Sequence, residues 1–372
     1  MAAVEWPMRA AALLLLAATF THASKGGGFA PGAPRYWPKF GGARKVELLD
    51  GSWSYGFING YDSGFDSMSP AFKPKASDTP NKTAVPSCSD IVAGGAAGYL
   101  GPRGVAMYAT TFASPVAAPV RLQFQSCSFY CRVFVNGQEV GDHRAGGYVA
   151  FWLDVAASVL KAGDNELFVI ADNRFNATTA PMHTGGDFWH YGGLTRSVEL
   201  HTMPAEQQPV LWRAYALPSG VDFTLPAPVA KPDSIDLTLV LTDASHSGHI
   251  AFSLAWDDGA PTQMKGVTKA GELTLSKLAV PSPKLWSPTE PNLHTVTVTL
   301  NGGSVTERFG LRSFGTDKQT SRLTINGEVT KLVGWNHHTQ WPVTAASPTD
   351  DQVCAIPPLY QTPPPLADRP AR

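Results

Sequence analysis

The sequence predicts a mainly β protein: two consecutive antiparallel sandwiches, then the start of a further unit. Three observations lead there. Short runs alternate apolar and polar residues with period two, the signature of strands. Gly and Pro are abundant, at 35 and 31 of 372 residues, and they punctuate those runs. Asn-Gly pairs at 136–137, 301–302 and 326–327 sit between such runs, where a two-residue hairpin turn needs them. The length suggests two or three domains. Charged residues make up only 16% and the net charge is −1, so nothing indicates a nucleic-acid partner or an acidic tail.

The first 23 residues read as a secretory signal: Arg9, an apolar run from Ala10 to Phe20, then small residues around Ala23. The run is too short to span a bilayer, and no second run approaches that length. The expectation is a protein without a membrane partner, secreted or delivered to a lysosome or vacuole. Two acceptor triplets for N-glycosylation, at Asn81 and Asn176, agree with that route.

Residues 24–205 open with a Gly/Pro-rich lead, Ser24 to Gly42, and "KVELLDGSWSYGF" then reads as strand and turn. The Pro/Ser/Gly-rich segment from Asp66 to Ala97 reads as loop. "GVAMYATTFA", "VRLQFQSCSFYCRVFV", "GYVAFWLDV", "NELFVIADNR" and "GGLTRSVELHTMP" follow as strands of an eight-stranded sandwich of jelly-roll type. Residues 206–313 hold "SIDLTLVLTD", "HIAFSLAWDDG", "GELTLSKLAV" and "HTVTVTLNGGSVTERFGLRSF", which predict an immunoglobulin-like sandwich of six or seven strands. Residues 314–353 predict a hairpin turning at Asn326-Gly327, then a buried strand from Lys331 to Trp335. The tail, 354–372, carries six Pro between 357 and 370 and is expected to be extended and poorly ordered.

The four Cys are Cys88, Cys127, Cys131 and Cys354. Read as one strand, "CSFYC" holds its two sulfurs on one face with Cα atoms roughly 13 Å apart, too far for a disulfide. Both then read as buried strand residues, and a bridge from Cys88 to either stays open. No zinc spacing is completed, so neither metal nor cofactor is expected.

Two stretches could carry chemistry. On a strand, "GWNHH" places Gly334, Asn336 and His338 on one face, and Val333, Trp335 and His337 on the other. The two His cannot grip one metal together. In "TGGDFWHYGGLTRSVEL", Asp187 stands beside Phe188, Trp189, His190 and Tyr191. Rings pack on the C–H face of a sugar and a carboxylate accepts from its hydroxyls, so this stretch suits a carbohydrate. Gly192-Gly193 suggests close backbone packing or φ > 0. The blander readings are a polar loop and an aromatic core plug.

Several stretches in order resemble glycoside hydrolase family 2, the β-galactosidases, β-glucuronidases and β-mannosidases. They are "LDGSWSYGF", "AVPSCSDI", "VFVNGQEVGDHRAGGYVAFWLDV", "DFWHYGGLTRSVELHTMP", "LWSPTEPNLHTVTVTL", "FGLRSF" and "LTINGEVTKLVGWNHHTQWP". "AVPSCSDI" and "DFWHYGGLTRSVELHTMP" are most similar to β-glucuronidases. The resemblance covers about 45–352. It implies a jelly-roll, galactose-binding-like domain, an immunoglobulin-like domain and a TIM barrel. It implies that Asp187 reaches a sugar site, that His338 contacts substrate and that Asn336 shapes the end of the first barrel strand. It also implies a carbohydrate substrate with a terminal β-linked sugar, and homo-oligomers among full-length relatives. "TQWP" departs from the family pattern, which leaves the sugar open.

Retaining hydrolysis by this family needs two Glu carboxyls about 5–5.5 Å apart. The last Glu here is Glu328, and only Asp350, Asp351 and Asp368 follow it. A barrel takes about 250 residues, so the resemblance implies one begun and cut short, with no catalytic residue in this chain. The alternative expectation is a non-catalytic carbohydrate-binding or structural protein made of β-sandwiches.

Overall fold

The computed structural model describes residues 37–60, 63–94, 102–114, 119–144, 146–175, 189–202, 208–221, 231–334, 338, 340–341, 343–349 and 352. The predicted signal, Asn176, Asp187, Asn336 and the Pro-rich tail lie outside them. The chain enters through β1 (Lys39–Gly42), β2 (Lys45–Leu48), β3 (Gly51–Asn59) and β4 (Asn81–Val85). A short helix, α1 (Ser89–Gly94), precedes β5 (Gly104–Ser114), β6 (Val120–Phe124), β7 (Tyr130–Val135) and β8 (Gln138–His143). β9 (Phe151–Val155), β10 (Gly163–Asp172) and β11 (Val198–Thr202) complete the first sandwich. Its sheets run β4-β3-β5-β10-β7-β8 and β2-β11-β6-β9.

The second sandwich takes β12 (Leu211–Pro218), β13 (Ser234–Leu241), β14 (Gly248–Trp256) and β15 (Thr262–Thr268). It continues with β16 (Glu272–Ala279), β17 (His294–Leu300) and β18 (Gly303–Phe309). One sheet is β12-β13-β16, the other β1-β18-β17-β14-β15. β1, from the lead before the first sandwich, therefore pairs into the second, with Phe40 opposite Val305. β19 (Phe314–Thr316), β20 (Leu323–Ile325) and β21 (Glu328–Val329) form a small separate sheet. All the strand pairs are antiparallel, as expected for sandwiches of hairpins and meanders.

The three Asn-Gly pairs turn their hairpins as expected. Asn136, Asn301 and Asn326 have φ of 50°, 48° and 54°, and the following glycines 77°, 79° and 83°. Both central residues sit at positive φ, the type I′ geometry that matches strand twist.

The two sandwiches bury their strands differently. β13 and β17 alternate strictly: Ile235, Leu237, Leu239, Val296 and Val298 are buried in one core, and the residues between them are half exposed. β5, β7 and β10 alternate between two cores. Tyr108, Val133 and Val169 point between the sheets of the first sandwich. Met107, Phe134 and Ile170 point outward into a second apolar layer, which Phe65 and Phe72 of the β3–β4 connection cover. Burying one such side chain contributes about 1.5–3 kcal/mol, so the covering loop is part of the core.

The other outer face of that sandwich, on β6 and β11, is polar yet buried. Arg121, Gln123, Glu199 and His201 are all under 4% exposed. The second sandwich covers them. Arg44 donates to the carbonyls of Leu211 (3.1 Å) and Trp212 (2.8 Å) and to His201 Nδ1 (2.8 Å). Its guanidinium is stacked on Phe40 and Trp212, and that of Arg121 on Trp212. Because Arg44 can only donate, His201 Nδ1 accepts, and Nε2 carries the proton toward Glu199 Oε2 at 2.7 Å. Burial, and then Arg44, push the His201 imidazolium down to about 4.

Three sequence expectations fail. The "CSFYC" run is not one strand. The chain leaves one sheet at Phe124 and enters the other at Tyr130, so strand rise does not set the Cys spacing. Cys127 and Cys131 lie 6.0 Å apart at Cα and are disulfide-bonded, while Cys88 is buried and free. The segment 66–97 is not all loop: it holds β4, paired on the edge of β3, and α1. Residues 331–334 form no strand, and Leu332 and Val333 are 62% and 81% exposed. A strand needs a ladder partner, and none runs beside them among the described residues.

Candidate functional site

Asp187 and Asn336 fall outside the described residues, but the segments next to Asp187 and His338 are described, and they meet. Residues 189–194 run along 87–90. Ser87 N donates to Leu194 O and Ser89 N to Gly192 O, at 2.8 and 2.9 Å. On the other side Ser128 and Gly193 exchange both backbone bonds at 3.0 Å. The Cys127–Cys131 disulfide therefore closes the crossover against which this segment pairs.

The glycine pair is required here for both reasons expected. A Cβ on Gly192 would lie 2.5 Å from Asn173 Cβ. Gly193 has φ +102°, and its Cβ would meet Tyr108 Oη at 2.5 Å. Larger residues would push the segment off the sheet end.

Asp90, at the start of α1, anchors the aromatic run. Its Oδ2 accepts from Trp189 Nε1 at 2.7 Å and its Oδ1 from Gly192 N at 3.1 Å. Burial raises the Asp90 carboxyl to about 6 despite these bonds and the nearby Arg103 guanidinium. Arg103 donates through Nη1 to the carbonyls of Asn173 (3.0 Å) and His190 (3.2 Å). Its guanidinium lies over Phe175 at 3.9 Å and Trp189 at 4.4 Å. His190 is buried, edge-on to Phe129 and Phe175, with Tyr148 Oη 3.4 Å from its Nδ1. Tyr148 itself is 39% exposed and forms a rim.

Residues 341–345 seat on the same cluster. Trp341 and Ala345 exchange backbone bonds at 3.1 and 2.8 Å, closing a tight turn. Ala345 packs with Cys88 and Tyr191 in one apolar cluster. Cys88 Sγ lies 3.5 Å from Thr344 O, and burial pushes its thiol up to about 12, so it stays protonated. His338, three residues before Trp341, is exposed, and its carbonyl accepts from Gln340 N at 2.8 Å.

Among the described residues, this face brings an indole, an imidazole, a phenol and a guanidinium around one buried carboxyl, Asp90. Among the described residues, no three His, Cys, Asp or Glu side chains come together to hold a metal. Among the described residues, no helix is long and apolar enough to cross a membrane. The sequence pointed to Trp189, His190 and Tyr191 but missed Asp90, Arg103, Phe175 and Tyr148, which come from four other segments. "VPSCSDI" was the one available signal for Asp90, and it lay in a stretch read as loop.

The profile for the sugar-binding domain of glycosyl hydrolases family 2 matches residues 101–204, and a second family 2 profile matches 222–312. The chain belongs to glycosyl hydrolase family 2. The first match contains β5 to β11 and the Trp189–Tyr191 face; the second contains β13 to β18. Over 225 residues the chain is 28% identical to a putative β-glucuronidase of Formosa agariphila, covering 59% of this chain and 26% of that protein. Over 240 residues it is 24% identical to a β-galactosidase of Thermoanaerobacter pseudethanolicus, covering 62% and 31%. Its fold is similar to that of a family 2 β-galacturonidase from Eisenbergiella tayi, solved with galacturonate (TM-score 0.67, 19% identity, 89% of this chain, 53% of that one). It is also similar to a Bifidobacterium dentium β-glucuronidase (TM-score 0.65, 22% identity, 86% and 56%). The chain thus spans about half of these solved family 2 chains and less than a third of these curated relatives.

Proposed function

We propose that this chain is the N-terminal, sugar-facing part of a family 2 exo-glycosidase acting on terminal β-galactosides or β-glucuronides. The supporting observation is the pair of family 2 domains in sequence order, the first presenting the Trp189–His190 face tied to Asp90. On this reading Asp187, two residues before Trp189, accepts from the sugar hydroxyls, and Asn336 and His338 serve the same substrate. The acid/base and nucleophile carboxyls come from outside these 372 residues. In support, the face holds one carboxyl among the described residues, Asp90, and both its oxygens are turned inward to Trp189 and Gly192. Retaining chemistry requires two carboxyls about 5–5.5 Å apart.

The protein follows the secretory route on this reading. A buried disulfide at Cys127–Cys131 suits an oxidising compartment, and Asn81 is exposed on the edge strand β4. An Asn81→Gln variant made in a secreting eukaryotic host should lose one glycan's mass.

The test of function uses purified 24–372 with p-nitrophenyl β-galactoside and β-glucuronide. No nitrophenol release is expected. Turnover above a blank would overturn the placement of the catalytic pair outside the chain. Binding of these glycosides that Asp187→Ala abolishes, without turnover, is the expected companion result. Binding that is indifferent to Asp187, Asn336 and His338 would instead favour a carbohydrate-binding sandwich protein unrelated to catalysis.

A further inference from the structure

A polar cavity opens on the outer face of the six-stranded sheet, between residues 64–68 and the end of β10. Its volume is about 290 Å³, at the small end of ligand sites. Phe65 and Phe175 supply aromatic walls; Asp66, Ser67, Asp172 and Arg174 supply the polar ones. This wall is rigidly built. Arg174 makes an ion pair with Asp172 at 2.7 Å and donates to Phe65 O at 3.1 Å. Ser67 Oγ donates to Asp172 Oδ2 at 2.7 Å. Arg132 donates to the carbonyls of Ser67 (3.3 Å) and Ser69 (2.7 Å). A preorganised wall loses little freedom when a ligand enters.

The charges select among ligands. Arg174 and Asp172 cancel each other. Asp66 remains: it is exposed, and one of its oxygens accepts from Met68 N at 2.9 Å. The cavity thus carries a net negative charge and disfavours a carboxylate ligand. A neutral, polyhydroxylated ring fits it, with hydroxyls donating to Asp66 and C–H faces packing on the phenyl rings. The cavity shares one side chain, Phe175, with the face described above. Phe175 lines it, and the same ring lies edge-on to His190 at 5.7 Å and under Arg103.

We propose that this cavity is a second carbohydrate subsite, taking a neutral sugar ring of a glycan whose terminal residue occupies the Trp189–His190 face. The inference rests on the proposed function for the terminal residue, but its site is separate. Hydrogen–deuterium exchange of the full chain, read peptide by peptide, tests it. The probes are lactose, cellobiose and sodium glucuronate, each raised to its solubility limit. The neutral disaccharides should protect amides in 63–68, and Asp66→Asn should weaken that protection about tenfold, the loss of one charge-assisted hydrogen bond. Phe65→Leu, a milder change to the wall, should weaken it as well.

Absence of protection at 63–68, equal protection in Asp66→Asn, or stronger protection by glucuronate would each overturn the subsite. Protection confined to 189–193 would overturn the subsite and leave the proposed function standing. Protection confined to 63–68 would keep the cavity as a sugar site and overturn the terminal-sugar face. Protection nowhere would overturn both.

Discussion

The first sandwich has two outer faces, and they are closed in opposite ways. The face on β5, β7 and β10 is apolar, with Met107, Phe134 and Ile170, and a single connection carrying Phe65 and Phe72 covers it. The face on β6 and β11 is polar, with Arg121, Gln123, Glu199 and His201, and a whole second sandwich covers it through Arg44 and Trp212. The apolar face gains from burial itself. The polar face gains only if each buried donor and acceptor is paired. It is therefore the more specific of the two contacts and the less tolerant of change.

The largest test of that contrast is Arg44→Ala. It removes three hydrogen bonds and takes from the buried His201 Nδ1 the donor it accepts from. Breaking a buried charged network by removing one member costs about 3–5 kcal/mol. Chemical denaturation should show that loss, and the single transition should split as the sandwiches uncouple. A loss below about 1 kcal/mol would mean the polar face is solvated, not sealed.

Acidity offers a test of similar size that separates the junction from the sugar face. His201 titrates at about 4 when folded, below its ordinary 6.5. The unfolded chain therefore binds the extra proton first, and stability falls as pH drops from about 6.5 to about 4. Asp90 titrates at about 6 when folded, above its ordinary 3.8. Here the unfolded chain releases its proton first, and stability falls as pH rises from about 4 to about 6. Each slope integrates to on the order of 3 kcal/mol, and the two oppose each other. Asp90→Asn should leave a stability that climbs with pH across this window relative to the parent chain. His201→Gln, which can accept from Arg44 and donate to Glu199, should leave one that declines. Parallel curves for parent and variants would show that these groups are not buried as described.

The smaller effect belongs to the apolar face. Phe72→Ala removes one partly buried ring from a layer with other rings beside it, at about 2 kcal/mol. Its transition should stay single, because no second domain depends on it. A split transition here, or none for Arg44→Ala, would reverse the contrast.

How much of this was legible varies by residue. β13 and β17 could be read directly, because one face meets a core and the other meets water. "VRLQF" and "VELHT" alternate in the same way, yet their polar residues are buried, since alternation records which residues share a face and not what covers it. The "CSFYC" disulfide was hidden because strand spacing stops applying where the chain changes sheets. The strand expected at 331–335 failed for the complementary reason: β character in a segment does not supply a neighbour. At the candidate site, the run of adjacent aromatics could be seen in sequence. Asp90 and Arg103 could not, because only the fold brings 90, 103 and 189 together.

By itself, then, the sequence determined the β class, the hairpins at Asn136, Asn301 and Asn326, the order of two sandwiches and the resemblance to a glycosidase family. These depend on local backbone preference and on period-two patterning, which are written residue by residue. Only the tertiary structure decided that Arg44 and His201 seal one sandwich to the other, that Asp90 holds Trp189, and that Cys127 reaches Cys131. The first two depend on distances between segments far apart in the chain, and the third on the chain changing sheets between β6 and β7; local preference encodes neither.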